Sequence, residues 1–363
     1  MRRRMWVSQA LSVLNSIIPV VIALAIGAIL IWIIGNNPLT TYQIMFSQTL
    51  FNWGGLLNTI HYATPLILTG LAIAVTFRAS IFNMGVEGQL LGGAFAACVL
   101  GFSVHGLPSI IQIGLCLVVG ILVGILFALV PAILKAYFGV NEIVVTLMLN
   151  YAIAQILQVL TQTIYRDPAA GYVATPPVDQ NAMFTRLPDT SLTLFTPIVL
   201  IVFAVMYVTL QRSRLGYEIT AIGINPDFAE ASGMNIRRKI IVMFVISGAL
   251  SGLAGAGWLL SQQFRYTLTF SGSPGLGWDG MLVSLLGGNS PIGILIAAIL
   301  YAALKTGANA ISIFTNVPNE IVGVIQALVI LLLAIRYIEP SSHQVVKDAN
   351  RRVRSRPSEE VEA

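Results

Sequence analysis

Nine apolar runs, each about as long as a bilayer core is thick, dominate this 363-residue chain. They occupy 16–35, 55–77, 84–104, 110–134, 141–163, 194–211, 240–260, 291–313 and 319–337. A helix needs about 20 mostly apolar residues to cross the hydrocarbon. A shorter, Gly-rich stretch at 279–288 reads as a broken or tilted segment. Charged residues make up only 10% of the chain, against about 25% in soluble domains, too few to coat a water-facing surface. The expectation is an all-α polytopic membrane protein with about ten transmembrane segments, a transmembrane domain over 1–339 and a disordered tail over 340–363.

The cations set the direction of crossing. With Arg2, Arg3 and Arg4 in the cytoplasm, alternating spans place sixteen Lys and Arg residues inside and only Arg166, Arg186 and Arg265 outside, while Lys305 lies within a span. Both termini are then cytoplasmic, and the loop over 212–239 is cytoplasmic too. The basic, apolar N-terminus is followed by "IGNNPLTTYQ" rather than a small-residue cleavage site, so it reads as a retained span. The loop over 164–193, rich in Pro, Asp and Thr, reads as an irregular external cap. The tail "RRVRSRPSEEVEA" reads as a segment close to anionic headgroups.

Chemistry-bearing residues are sparse. Cys98 and Cys116 both lie in apolar runs, which excludes a disulfide framework or a zinc site of the usual spacing. No HExxH, G-x-S-x-G or phosphate-binding G-x-x-x-x-G-K-[ST] motif occurs, so neither hydrolysis nor ATP binding is expected of this chain. His61 stands alone in a span and reads as a core residue. The charges inside apolar runs are Glu87, Glu142, Asp279, Lys305 and Glu320. Such groups tend to pair or face a cavity, and Lys305 has Glu87 and Asp279 as conceivable partners.

"GVEGQLL" at 85–91 and "GWDGMLV" at 277–283 share a pattern, and each leads into a Gly-rich apolar stretch. In the topology above, the first opens a span from the cytoplasmic face and the second from the external face. That arrangement points to an inverted-topology repeat. Gly120-x3-Gly124 and Gly248-x3-Gly252 would let helices approach closely.

The cytoplasmic stretch "GINPDFAEASGMN" at 223–235 is a polar island in this apolar chain. Asn225 suits an N-cap, Pro226 the first helical position, and Asp227 and Glu230 the first turn, where the dipole favours negative charge. Gly233 can close the helix in a left-handed conformation. A helix over 226–232 is marginal alone, so Phe228, Ala229 and Met234 must lean on another surface. A docking element for a cytoplasmic partner is the functional reading, and a plain connecting loop is the other.

The run "SRLGYEITAIGINPDFAEASGMNIRRKIIVMFVISGALSGLAGA" resembles the cytoplasmic loop and following helix of bacterial ABC-importer permeases of the branched-chain amino acid/ribose class. "RASIFNMGVEGQLLGGAFAA", "GVNEIVVTLMLNYAIAQIL" and "GWDGMLVSLLGGNSPIGILIAAILYAALKTGANA" are similar to the nucleoside and simple-sugar subgroup. The resemblance implies a multi-pass subunit of the bacterial cytoplasmic membrane that works by alternating access. It implies a second related permease, a cytoplasmic ATPase subunit carrying ATP and Mg, and an extracytoplasmic substrate-binding (lipo)protein. It further implies that Asn225, Pro226, Asp227, Phe228, Ala229, Glu230, Ala231, Ser232 and Gly233 couple the ATPase to the permease.

The expected cargo is a nucleoside, or else a simple sugar such as ribose. Asn83, Glu87, Gln89, Asn141, Asn150 and Asp279, polar groups within or at the ends of spans, are the candidates for the translocation path, with helix–helix hydrogen bonding as their alternative role. An ion-coupled secondary transporter or channel without an ATPase partner is the competing reading.

Overall fold

The computed structural model describes residues 22, 25–29, 31–33, 35–187, 190–272, 275–314, 323 and 324. The expected last span and the tail at 340–363 lie outside these residues, apart from 323 and 324, and the first span is described only in fragments. The chain divides into two compact units, one spanning Phe46–Gly307 and the other drawn from both ends of the chain. Among the described residues seven helices are long and apolar enough to cross a membrane. The chain is therefore an integral membrane protein.

The elements are α1 (Pro38–Thr49), α2 (Trp53–Phe77), α3 (Val86–Ser103), α4 (Ser109–Phe138), α5 (Glu142–Gln162), α6 (Phe195–Arg212), α7 (Arg214–Ile224), α8 (Pro226–Ala231), α9 (Ile236–Trp258), α10 (Leu276–Leu286) and α11 (Pro291–Phe314). A π-helical turn, Leu259–Gln263, extends α9. The helix α1 was not expected. Seven of the expected spans match helices to within a few residues, and the short segment at 279–288 is α10, only 11 residues long.

In α4 the buried residues Gln112, Cys116, Gly120, Gly124, Ala128 and Ala132 recur every four positions, while Ile111, Leu115, Val118, Leu122, Leu126, Val130 and Ile133 are exposed. Small residues face the bundle and large aliphatic ones face outward. That pattern suits lipid, where close backbone packing drives association. Gly248 and Gly252 of α9 meet this stripe backbone to backbone: a Cβ on Gly252 would overlap the Gly120 carbonyl oxygen. Helix α2 is buried on all sides from Ala63 to Thr76, as expected of a helix apolar all round.

One feature departs from simple alternating spans. Helix α2 ends at Phe77, and residues 81–83 belong to no helix or strand before α3 begins. The Phe82 amide faces the Glu142 carboxylate, the Met84 amide donates to the Thr146 hydroxyl at 3.2 Å, and the Gly88 amide donates to the Asn150 carbonyl oxygen at 2.8 Å. Successive contacts thus climb α5 by two turns. The chain re-enters the bundle before it turns into α3, so Glu87 lies deeper than the start of a span would place it.

Candidate functional site

Three regions carry the polar side chains: the loop over 213–239, the interior around Glu87 and Asp279, and a cavity beside the π-helical turn.

In the loop, Ser213 caps α7, accepting the Gly216 amide hydrogen at 3.2 Å. Asn225 caps α8, accepting from the Phe228 amide at 3.0 Å. Gly233 has φ +83 and ends the turn. The helix has the cap, the N-terminal proline and the closing glycine expected of it. Ala229 is fully buried, whereas Phe228 is 65% exposed. Asn225, Pro226, Asp227, Glu230, Ala231, Ser232 and Gly233 are exposed as well, and Met234 is half-buried. The helix therefore leans on the rest of the protein through Ala229 and Met234 and leaves the Phe228 ring uncovered.

The loop is tied to the bundle by charge. Glu218 of α7 is buried and pairs with Lys239 at the start of α9 and with Arg214 at 3.1 Å. The Lys239 ammonium, bonded to the Glu218 carboxylate and helped by Arg214, holds that carboxyl below its ordinary range. On the other side, the Arg78 guanidinium donates to the Leu210 carbonyl at 2.9 Å and the Ser80 hydroxyl to the Gly223 carbonyl at 3.1 Å. Glu218 escaped attention in the sequence; its one available signal was the Arg214–Glu218 spacing of four on a short helix.

In the interior, Asn83 donates to the Ser247 hydroxyl at 2.9 Å and to the Gln89 side chain at 3.2 Å. Asn150 accepts from Gly88 and donates to the Met84 carbonyl at 2.6 Å. Asn83, Gln89 and Asn150 are thus brought together around the re-entrant segment, each bonded to protein. Asn141 stands apart: it is exposed and caps α5 through the Ile143 amide at 3.0 Å. Glu87 and Asp279 do converge. The Glu87 carboxylate accepts the Gly277 amide hydrogen at 2.6 Å, two residues from Asp279. Asp279, fully buried, accepts from the Tyr301 hydroxyl at 2.5 Å and from the Lys305 ammonium at 2.7 Å. Of the two conceivable partners for Lys305, the structure selects Asp279.

A cavity of about 150 Å³ opens beside this cluster, bordered by Tyr62, Leu66, Trp258, Gln263, Phe270, Ser271 and Lys305 among others. The Tyr62 and Trp258 rings lie 5.4 Å apart, and His61 backs Trp258 at 5.3 Å. His61 Nε2 bonds the Gln262 side chain at 3.1 Å, while its buried Nδ1 has no partner among the described residues. The segment 174–184 lies over this end of α9: Ala174 bridges Thr267, and the Thr175, Val178 and Phe184 amides donate to the Tyr266, Phe264 and Leu260 carbonyls. In the same segment, Asp179 accepts from the Asn181 amide and from His105, which hold its carboxyl below the ordinary range. Among the described residues, no three His, Cys, Asp or Glu side chains gather as a metal site would require.

Apolar helices packed around a re-entrant segment, with polar groups converging between them and a capped helix projecting between two spans, are features found in membrane transport proteins. More narrowly, the family model described as branched-chain amino acid transport system / permease component matches residues 55–334, and the chain belongs to that family. It is 33% identical to the nucleoside ABC transporter permease protein NupB of Lactococcus lactis, over 90% of this chain and 92% of that protein. It is 34% identical to the guanosine ABC transporter permease protein NupP of Bacillus subtilis, over 88% and 92%. It is 33% identical to the glucose ABC transporter permease protein TsgB13 of Haloferax volcanii, over 90% and 87%.

Proposed function

We propose that this chain is one of two related permease subunits of an ABC importer that moves nucleosides into a bacterial cell. The observation that carries the substrate is its likeness, along nearly its whole length, to permeases named for nucleosides and for guanosine. A simple sugar is the second reading, favoured by an equally similar relative named for glucose. The family itself weighs against an ion-coupled transporter or channel.

In this reading the end of the bundle holding Arg78 and α8 is cytoplasmic, as are both termini, and the membrane is the bacterial cytoplasmic membrane. A separate ATPase subunit carrying ATP and Mg seats the Phe228 ring and the surrounding residues Asn225–Gly233. Its closure pushes α8, and the Glu218–Lys239 pair passes the movement to α9. An extracytoplasmic binding protein delivers substrate at the opposite end, over 164–193. The path runs beside Glu87 and Asp279, with Asn83, Gln89 and Asn150 fixing its wall and Asn141 at its cytoplasmic rim. A conformational change needs contacts that differ between its two states, and the uncovered Phe228 is the side chain that a moving partner would grip.

The test is uptake of labelled guanosine by cells carrying the intact transporter, together with affinity purification of the chain in mild detergent. The double variant Phe228→Arg, Glu230→Arg should reach the membrane, lose the co-purifying ATPase and lose uptake. Normal uptake would remove the coupling role, and glucose uptake in place of guanosine uptake would select the second reading.

A further inference from the structure

We propose that the cavity between Tyr62, Trp258 and Lys305 receives the heterocyclic base of the nucleoside on its way through the membrane. The proposal rests on the nucleoside reading above and adds a place and a part of the substrate to it.

The shape and lining carry the idea. At about 150 Å³ the cavity is roughly half the size of the smallest pockets that enclose a drug-sized ligand. It has room for one heterocycle, with the attached sugar left outside. Tyr62, Trp258 and Phe270 supply aromatic faces on which a planar base can stack.

The polar groups have spare capacity of the right kind. The Gln263 amide and the Tyr62 hydroxyl make no hydrogen bond within the described residues, and the Gln263 side chain can both donate to and accept from the edge of a base. The π-helical turn that ends α9 separates two neighbouring glutamines: Gln262 is spent on His61 while Gln263 borders the cavity. Insertions of this type recur at functional sites. Lys305 keeps a third of its side chain exposed while paired with Asp279. One of its three donors is engaged and the others can reach a ring carbonyl or nitrogen.

Charge selects against phosphorylated forms. Asp279 balances Lys305, and the Ser271 hydroxyl at the cavity wall accepts the Leu276 amide hydrogen at 2.7 Å. Among the described residues that line the cavity, Lys305 is the one cation and Asp279 is paired with it, so the lining suits an uncharged nucleoside better than a nucleotide.

The experiment is equilibrium dialysis of tritiated guanosine against the solubilised complex of both permeases and the ATPase. The binding protein is left out because it would bind the probe itself. Uptake by the complete transporter in liposomes runs alongside. The expected result is saturable binding displaced by guanine and not by ribose or guanosine monophosphate. Loss of one stacking surface in Tyr62→Leu should weaken it by about 5- to 100-fold, with recovery in Tyr62→Phe. Gln263→Leu should weaken displacement by guanine, which decides the matter if Tyr62→Leu fails to assemble. Displacement by ribose alone, or no saturable binding to a complex that imports guanosine, overturns the cavity assignment and leaves the nucleoside reading standing. A complete transporter that imports no nucleoside overturns the reading itself.

Discussion

The carboxylate of Glu87 accepts the backbone amide hydrogen of Gly277 at 2.6 Å, so the first turns of α3 and α10 meet side by side inside the bundle. These are the two helices opened by the similarly patterned stretches "GVEGQLL" and "GWDGMLV". Two helix N-termini brought together at depth need an acceptor between them, because their first amides have no partners within the helix. An acidic residue three positions into the first stretch supplies it.

Replacing that acceptor separates charge from hydrogen bonding. Glu87→Ala leaves the Gly277 amide unpartnered and should lower stability by about 1–3 kcal/mol, read as a fall in the melting temperature of the purified protein. Glu87→Gln keeps an acceptor oxygen and should fall less. Equal losses in the two variants would show that the charge, not the acceptor, matters.

The contact between α4 and α9 predicts a sharp difference between two glycines. Gly252 faces the backbone of Gly120 and Gly124, whereas nothing lies within 4 Å of a Cβ on Gly114. Gly252→Val should therefore cost at least about 1–3 kcal/mol through overpacking and lower the yield of folded protein in the membrane. Gly114→Ala, which removes the helix penalty of glycine, should be neutral or mildly stabilising. Thermal melts of the two variants in one detergent check the contrast.

Acid should loosen the 213–239 loop. Glu218 is held below its ordinary value of 4.5 by Lys239 and Arg214. A depressed carboxyl stabilises the folded form above its unfolded value, and that contribution fades as pH falls through the lower folded value. The stability gap between wild type and Glu218→Gln should be widest near neutral pH and close on acidification below 4.5. Proteolysis at the loop as a function of pH reads this locally; a gap independent of pH would remove the ion pair from the account.

The cap of α8 is worth a separate test. Asn225→Ala removes the bond to the Phe228 amide and should cost about 1 kcal/mol of local helix stability. For a helix of six residues that is enough to fray it, so uptake should drop. Asn225→Asp retains an acceptor and should retain uptake. Equal uptake in both variants would mean that the helix is held by Ala229 packing rather than by its cap.

The sequence by itself determined what is local or periodic. Apolar run length placed the seven described spans, because a helix in lipid must match the hydrocarbon thickness with its own residues. Cap chemistry placed α8 to within a residue, because Asn225, Pro226 and Gly233 act on the backbone beside them. The rise of the chain at 79–88 was not legible. "ASIFNMGVEG" is apolar enough to read as the edge of a span, and hydropathy records what a residue dislikes, not how deep it lies. Only the tertiary structure decided the pairings Glu87 with Gly277, Asp279 with Lys305 and Glu218 with Lys239. Each joins residues at least 21 positions apart in the chain, brought together by helix packing that small residues permit. The cavity arises in the same way. Lys305 stood out as a charge within a span, but nothing in the sequence joined it to Tyr62 and Trp258, which share a surface with it only where α2, α9 and α11 converge.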